Sequence, residues 1–123
     1  MLKSVSSLLL FVKNPKESCK FYAALGFEKF SENESSCTVK LNWFKILLQD
    51  ETKVKYTQDS GVEPKGAGVS IYLSTDDVDL AHKTLIDKGL TPSSLPTDQP
   101  WGNREFGIKD PDGYKLVFST PLK

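Results

Sequence analysis

A chain of 123 residues is long enough for one domain with a real core, and 38% hydrophobic with 26% charged residues is an ordinary globular balance. Sixteen basic residues match sixteen acidic ones, which removes the global field that would argue for nucleic acid or an anionic membrane as partner. The apolar run within MLKSVSSLLLFVKNP is too short to span a bilayer. It enters a helix start with no small-residue cleavage site, so it reads as a buried strand. Cys19 and Cys37 lack metal-type spacing and fall on a helix pattern and a strand pattern. They read as two small buried thiols, which fits a reducing cytoplasm.

The first strand is predicted over 5–12, with Leu8, Leu10 and Val12 on one face and Ser7, Leu9 and Phe11 on the other. Asn14 then offers an N-cap, Pro15 suits the first helical position and Glu17 can complete a capping box. That helix carries Phe21, Tyr22 and Leu25, and Gly26 is placed to end it. Strands are predicted over 27–30, 37–41 and 44–48, with SENESS as a polar turn and Trp43 at a tight turn between the last two. Residues 50–68 mix charge, glycine and proline, and read as a connecting arm with one helical turn.

The pattern then restarts. A strand is predicted over 69–75, with Val69, Ile71 and Leu73 alternating against Ser70, Tyr72 and Ser74. Asp77 can cap a helix whose apolar stripe is Val78, Ala81, Leu85 and Ile86, and Gly89 closes it. After a Ser/Pro/Thr-rich loop, the chain closes on a hairpin turning at Asp110-Pro111-Asp112-Gly113. Phe106, Ile108, Leu116 and Phe118 form its packing face. Gly26 and Gly89 stand 63 residues apart, and the same offset pairs Asn14 with Asp77 and Ser7 with Ser70. Each half is thus a strand, a helix and about three strands, an internal repeat of pattern rather than of side-chain identity.

Three features together, the Phe21-Tyr22 to Leu25-Gly26-Phe27 stretch, Trp101-Gly102 leading into Asp110-Pro111-Asp112-Gly113, and the repeat, resemble the glyoxalase / bleomycin-resistance / extradiol-dioxygenase superfamily, also called vicinal oxygen chelate. The resemblance covers essentially the whole chain. It implies an α+β fold of two βαβββ modules, about 1–50 and 69–123, joined by an arm over about 51–68 into a single domain. Each module would be a curved, mostly antiparallel sheet with its helix on the convex side. The concave sides would enclose a cavity, usually completed by a second subunit. Metal-using members carry His, Gln or Glu on the concave face, and those positions fall here at Ser7, Leu47 (with Gln49 next along the face), Ser70 and Val117.

Serine is a poor neutral ligand and leucine and valine offer no lone pair, so no metal and no other cofactor is expected. The only histidine, His82, falls on the second helix and reads as surface or satisfied core. Alternation places Ser7, Leu9, Phe11, Thr38, Lys40, Lys45, Leu47 and Gln49 on the wall from the first module. The second contributes Ser70, Tyr72, Ser74, Trp101, Asn103, Glu105, Lys115, Val117 and Ser119. That mixture suits a small-molecule pocket. The expected ligand-binding residues are Phe11, Leu47, Gln49, Tyr72, Trp101, Asn103, Glu105 and Val117. Trp101 can clamp a flat ligand or plug the barrel end, and Trp43 can be a rim aromatic or a dimer contact. Arg104 lies on the packing side and reads as an ion-pair partner. Glu105 suits a cationic ligand or a general base, whereas Lys40, Lys45 and Lys115 suit an anion.

The expectation is a cytoplasmic, metal-free binding protein of the bleomycin-resistance type, a homodimer that binds a small, partly aromatic molecule without catalysis, with no nucleic-acid or membrane partner. The alternative is a divergent metal-dependent isomerase, lyase (lactoylglutathione-lyase-like) or dioxygenase that uses Gln49 and Glu105. A third reading is a structural or regulatory partner protein that reuses the fold.

Overall fold

Alternating apolar residues in the first stretch become β1 (Ser7–Val12), and the capped segment after it becomes α1 (Pro15–Leu25). The computed structural model describes residues 1–53 and 60–123, which form two compact units, Met1–Glu63 and Pro64–Lys123. Asn14 Oδ1 accepts from the backbone N–H groups of Lys16 and Glu17 at 3.1 and 3.2 Å, satisfying donors that a helix start leaves unpaired. The Glu17 carboxylate lies 3.6 Å from Lys20 Nζ. At the other end Gly26 has φ +122°, and Phe27 N–H returns to the Tyr22 carbonyl at 3.1 Å, so the chain reverses into the sheet.

In the first unit β2 (Glu28–Glu32), β3 (Ser36–Leu41) and β4 (Phe44–Asp50) complete a four-stranded sheet in the order β1-β4-β3-β2. The β1–β4 pair is parallel and the other two pairs are antiparallel. Leu10, Val12, Cys37, Val39, Ile46 and Leu48 turn to the helix side and are buried. Tyr22 is fully buried among them, with Phe27 edge-on at 5.6 Å. Cys19 and Cys37 are free and buried, and burial, with the Cys19 thiol hydrogen-bonded beside it, pushes the Cys37 thiol up to about 12. A 3-10 turn at Glu51–Lys53 follows. The rest of the expected arm includes residues 54–59, which lie outside the described residues.

The second unit repeats the plan. Its elements are β5 (Ser70–Ser74), α2 (Val78–Asp87), β6 (Thr97–Asp98), β7 (Asn103–Lys109) and β8 (Lys115–Pro121), with sheet order β5-β8-β7-β6. Again the first and last strands pair in parallel, and the remaining pairs are antiparallel. Asp77 caps α2 by accepting from Leu80 N–H at 3.0 Å. Phe106 and Phe118, cross-strand partners, stack with centroids 4.9 Å apart, and the His82 ring meets Phe106 edge-on at 5.0 Å. The closing turn is the one the sequence predicts. Gly113 N–H reaches the Asp110 carbonyl at 3.0 Å, and buried Asp110 Oδ1 accepts from Asp112 and Tyr114 N–H, each at 2.9 Å.

Two βαβββ modules with helices on one face of mixed sheets are therefore the architecture, as the pattern implied. Some details differ, the first being that β1 starts at Ser7 rather than at residue 5 and leaves Val5 exposed. Val69 stays exposed because its N–H turns back to the Gly66 carbonyl, so β5 starts one residue later than expected. Ile86 is 49% exposed, because α2 packs through Val78 and Leu85 with Ala81 and His82 between them. The loop over 91–100 contains the short β6, and Ser93 N–H extends its pairing to the Gly107 carbonyl at 2.8 Å. Prolines 92, 96 and 100 keep this strand short and at the edge.

Candidate functional site

Strand alternation gives each sheet one face packed under its helix and one face free of it. On the helix-free face of the first sheet the rows read Ser7–Lys45–Lys40, Leu9–Leu47–Thr38 and Phe11–Gln49–Ser36. Gln49 donates through Nε2 to the carbonyls of Ser35 and Asp50, both at 3.2 Å. Lys45 Nζ lies 4.1 Å and Lys40 Nζ 5.4 Å from the Phe30 ring centroid. A register shift between Lys29 and Ser31 accompanies that placement, and a bulge of this kind leaves no mark in the sequence. Trp43 is 73% exposed in the two-residue turn after Leu41, where Asn42 takes φ +57°.

On the second sheet the corresponding rows read Ser70–Lys115–Lys109, Tyr72–Val117–Gly107 and Ser74–Ser119–Glu105. Here four of the expected residues meet at one atom group. Glu105, 6% exposed, accepts from Tyr72 Oη at 3.2 Å on Oε1. On Oε2 it accepts from Trp101 Nε1 at 3.0 Å, Asn103 Nδ2 at 3.3 Å and Ser119 Oγ at 3.3 Å. Local sequence sets the geometry. Gln99-Pro100-Trp101-Gly102 is a tight turn closed by Gly102 N–H to the Gln99 carbonyl at 3.1 Å, with proline second and Gly102 at φ +97°. The turn sends the Trp101 indole back over the start of β7. Desolvation first, and then the Glu105 carboxylate that accepts its proton, push the Tyr72 phenol above its ordinary value.

Glu105 is thus a carboxylate whose acceptor positions are taken by its own neighbours. Tyr72 and Trp101 remain 53% and 62% exposed despite being tied to it by their polar ends. Ser119, which the pattern put on this face but not among the ligand residues, completes the cluster. Val117 is half-buried beside Tyr72, and in the first unit Phe11, Leu47 and Gln49 share one half-buried face. Arg104 points the other way. It holds Asp79 through Nε and a terminal nitrogen at 3.0 and 2.9 Å, and Asp98 through the other terminal nitrogen at 3.0 Å. That pairing holds the Asp79 carboxyl below its ordinary range and raises the guanidinium further.

The residues at the superfamily's metal positions do not fit a divalent ion. Serine, leucine and valine supply no anionic donor. Each of the two serines also has a lysine as its direct partner on the neighbouring strand, Lys45 beside Ser7 and Lys115 beside Ser70. These pairings are of strand position, and the Lys45 ammonium itself reaches over the Phe30 ring on β2. Among the described residues, no three His, Cys, Asp or Glu side chains gather as a ligand set. A groove of about 490 Å³ lies elsewhere, on the helix side of the first sheet, lined by Lys16, Cys19, Lys20, Ala23, Lys29 and Glu32. Among the described residues no helix is long and apolar enough to cross a membrane.

Paired βαβββ modules with polar-aromatic helix-free faces define a class, and the match to a family model narrows it. The Glyoxalase/Bleomycin resistance protein/Dioxygenase superfamily model matches residues 4–118, and the chain belongs to that superfamily. An uncharacterised protein of Mycobacterium bovis is 26% identical over 88 residues, 69% of this chain and 57% of the relative. Two Mycobacterium tuberculosis relatives align at the same identity over 51% of their length, so the chain spans about half the length of the curated relatives it matches. Among solved structures, a superfamily member from Sphaerobacter thermophilus is 29% identical with a TM-score of 0.76, covering 97% of this chain and 98% of that one. A glyoxalase/bleomycin resistance protein/dioxygenase from Nocardioides reaches a TM-score of 0.84 at 22% identity, covering 100% and 86%. A lactoylglutathione lyase from Agrobacterium tumefaciens reaches 0.77 at 16% identity, covering 98% and 95%, a likeness of fold alone.

Proposed function

We propose that this chain is a metal-free member of the bleomycin-resistance type, which binds a small, partly aromatic organic molecule against its helix-free sheet faces. In this reading the two modules work as one domain, the protein acts as a homodimer, and it resides in the cytoplasm, where its two adjacent free thiols stay reduced. The observation that carries the reading is the set of residues at the positions where metal-using relatives carry ligands, Ser7, Leu47, Ser70 and Val117, which offers no carboxylate and no imidazole. The alternative, a divergent metal-dependent isomerase, lyase or dioxygenase, would recruit Gln49 and Glu105. Gln49 Nε2 is held by two carbonyls, and the Glu105 oxygens already accept four hydrogen bonds.

Two measurements test this. Metal content by mass spectrometry, before and after incubation with zinc, nickel, manganese and iron, is expected to stay substoichiometric. A stoichiometric metal lost in Gln49→Ala or Glu105→Ala establishes the enzyme reading instead. A thermal-shift screen of small aromatic compounds of either charge and none is expected to find stabilising ligands, and a screen without any would contradict binding as the function.

A further inference from the structure

The Glu105 cluster has a feature that a merely structural carboxylate does not need. The four groups that hold it, Tyr72, Trp101, Asn103 and Ser119, are all neutral, and no ion pair joins it among the described residues. Its negative charge is therefore solvated by hydrogen bonds but left uncancelled. Two of those donors are aromatic rings that are more than half exposed, at 53% and 62%. An indole N–H or phenol O–H that donates to an anion pushes electron density into its ring, which deepens the negative potential of the ring face. A cation over such a ring gains both the ring quadrupole and the field of the carboxylate behind it. Because Glu105 itself is 6% exposed with its oxygens occupied, it acts through the rings rather than by direct contact.

We propose that Tyr72, Trp101 and Glu105 form a recognition site for an organic cation, with an alkylammonium head seated on the two aromatic rings. This rests on the small-molecule reading above and supplies the charge of the ligand. The lysines of the same face, Lys109 and Lys115, stand four residues along β7 and β8 from Glu105 and Ser119, about 13 Å from the carboxylate's row and about 7 Å from the Tyr72 row, with the Trp101 end of the site the farther from them. The first unit offers no equivalent, since the position matching Glu105 is Ser36 and its aromatic, Phe30, already carries two lysines.

The test is an NMR titration of the full chain with choline and with its neutral isostere 3,3-dimethylbutan-1-ol, following the Trp101 indole N–H. A Trp43→Phe background leaves one indole signal. Choline is expected to shift that signal saturably, and the isostere to bind about tenfold more weakly. Glu105→Gln, which keeps an acceptor oxygen and the side-chain shape, is expected to erase most of that difference. Its unchanged backbone spectrum would separate lost recognition from lost fold. Equal responses to both probes, or none to choline at millimolar concentrations, overturn the cation site. If neutral or anionic aromatics still stabilise the protein in the screen above, the small-molecule reading survives that failure. If nothing binds in either experiment, both fail.

Discussion

The two sheets share order, register plan and helix placement, yet their helix-free faces are chemically unlike. Each begins with a Ser–Lys–Lys row, and they part at the far end, where the first sheet has Phe11–Gln49–Ser36 and the second has Ser74–Ser119–Glu105. In the first unit the two lysines lie over the Phe30 ring, and the amide of Gln49 is turned to backbone carbonyls. In the second, a buried carboxylate gathers four donors and keeps its charge. A repeated fold thus fixes where side chains stand, and single residues at matching positions decide what a face can recognise.

The cores should behave alike even though the faces do not. Tyr22→Ala and Phe106→Ala each remove a ring that is at most 1% exposed, and each is expected to cost about 3–5 kcal/mol of unfolding free energy in denaturant titrations. A near-neutral result at either site would break the likeness of the two units. The faces should then separate. Glu105→Ala strands Asn103 and Ser119 next to a buried gap and is expected to cost about 2 kcal/mol, whereas Ser36→Ala, at the matching position, should cost about 0.5 kcal/mol. Equal losses by chemical denaturation would remove the distinction drawn between them.

Smaller than the Glu105 loss is the effect of Phe30→Leu. It removes the ring under Lys40 and Lys45, which face each other across β3 and β4, and should cost about 0.5–1 kcal/mol. The loss should shrink as salt screens the two ammonium groups, so a salt-independent loss would assign it to packing alone. The least effect is expected from Arg104→Met, and it carries a pH signature. The Asp79 carboxyl is held low by Arg104, so its contribution is present above the unfolded value near 4 and fades as pH falls through the lower folded value. The melting-temperature deficit of Arg104→Met at pH 7 should therefore close in strong acid. A deficit that stays constant with pH would rule out the ion pair as its cause.

The fold was legible because its signals are local. Asn14 and Asp77 cap helices, Gly26 and Gly89 end or follow them, and Asp110 to Gly113 specifies a turn through proline and a positive-φ glycine. Alternation also placed Tyr72, Glu105, Val117 and Ser119 on one face before any contact was known. What alternation cannot encode is which of those side chains touch. The bond from Trp101 to Glu105 depends on a turn angle at Gly102, and the lysine stack on Phe30 on a bulge in β2. The two-residue β6 is too short for periodicity to register.

The most direct measurement is chemical-shift mapping on the full protein with a stabilising aromatic ligand from the screen, in metal-free buffer. The account predicts saturable shifts centred on Tyr72, Trp101, Asn103 and Val117. Shifts confined to Lys16, Cys19, Lys20, Ala23 and Lys29, around the groove beside α1, with the helix-free faces silent, would contradict it.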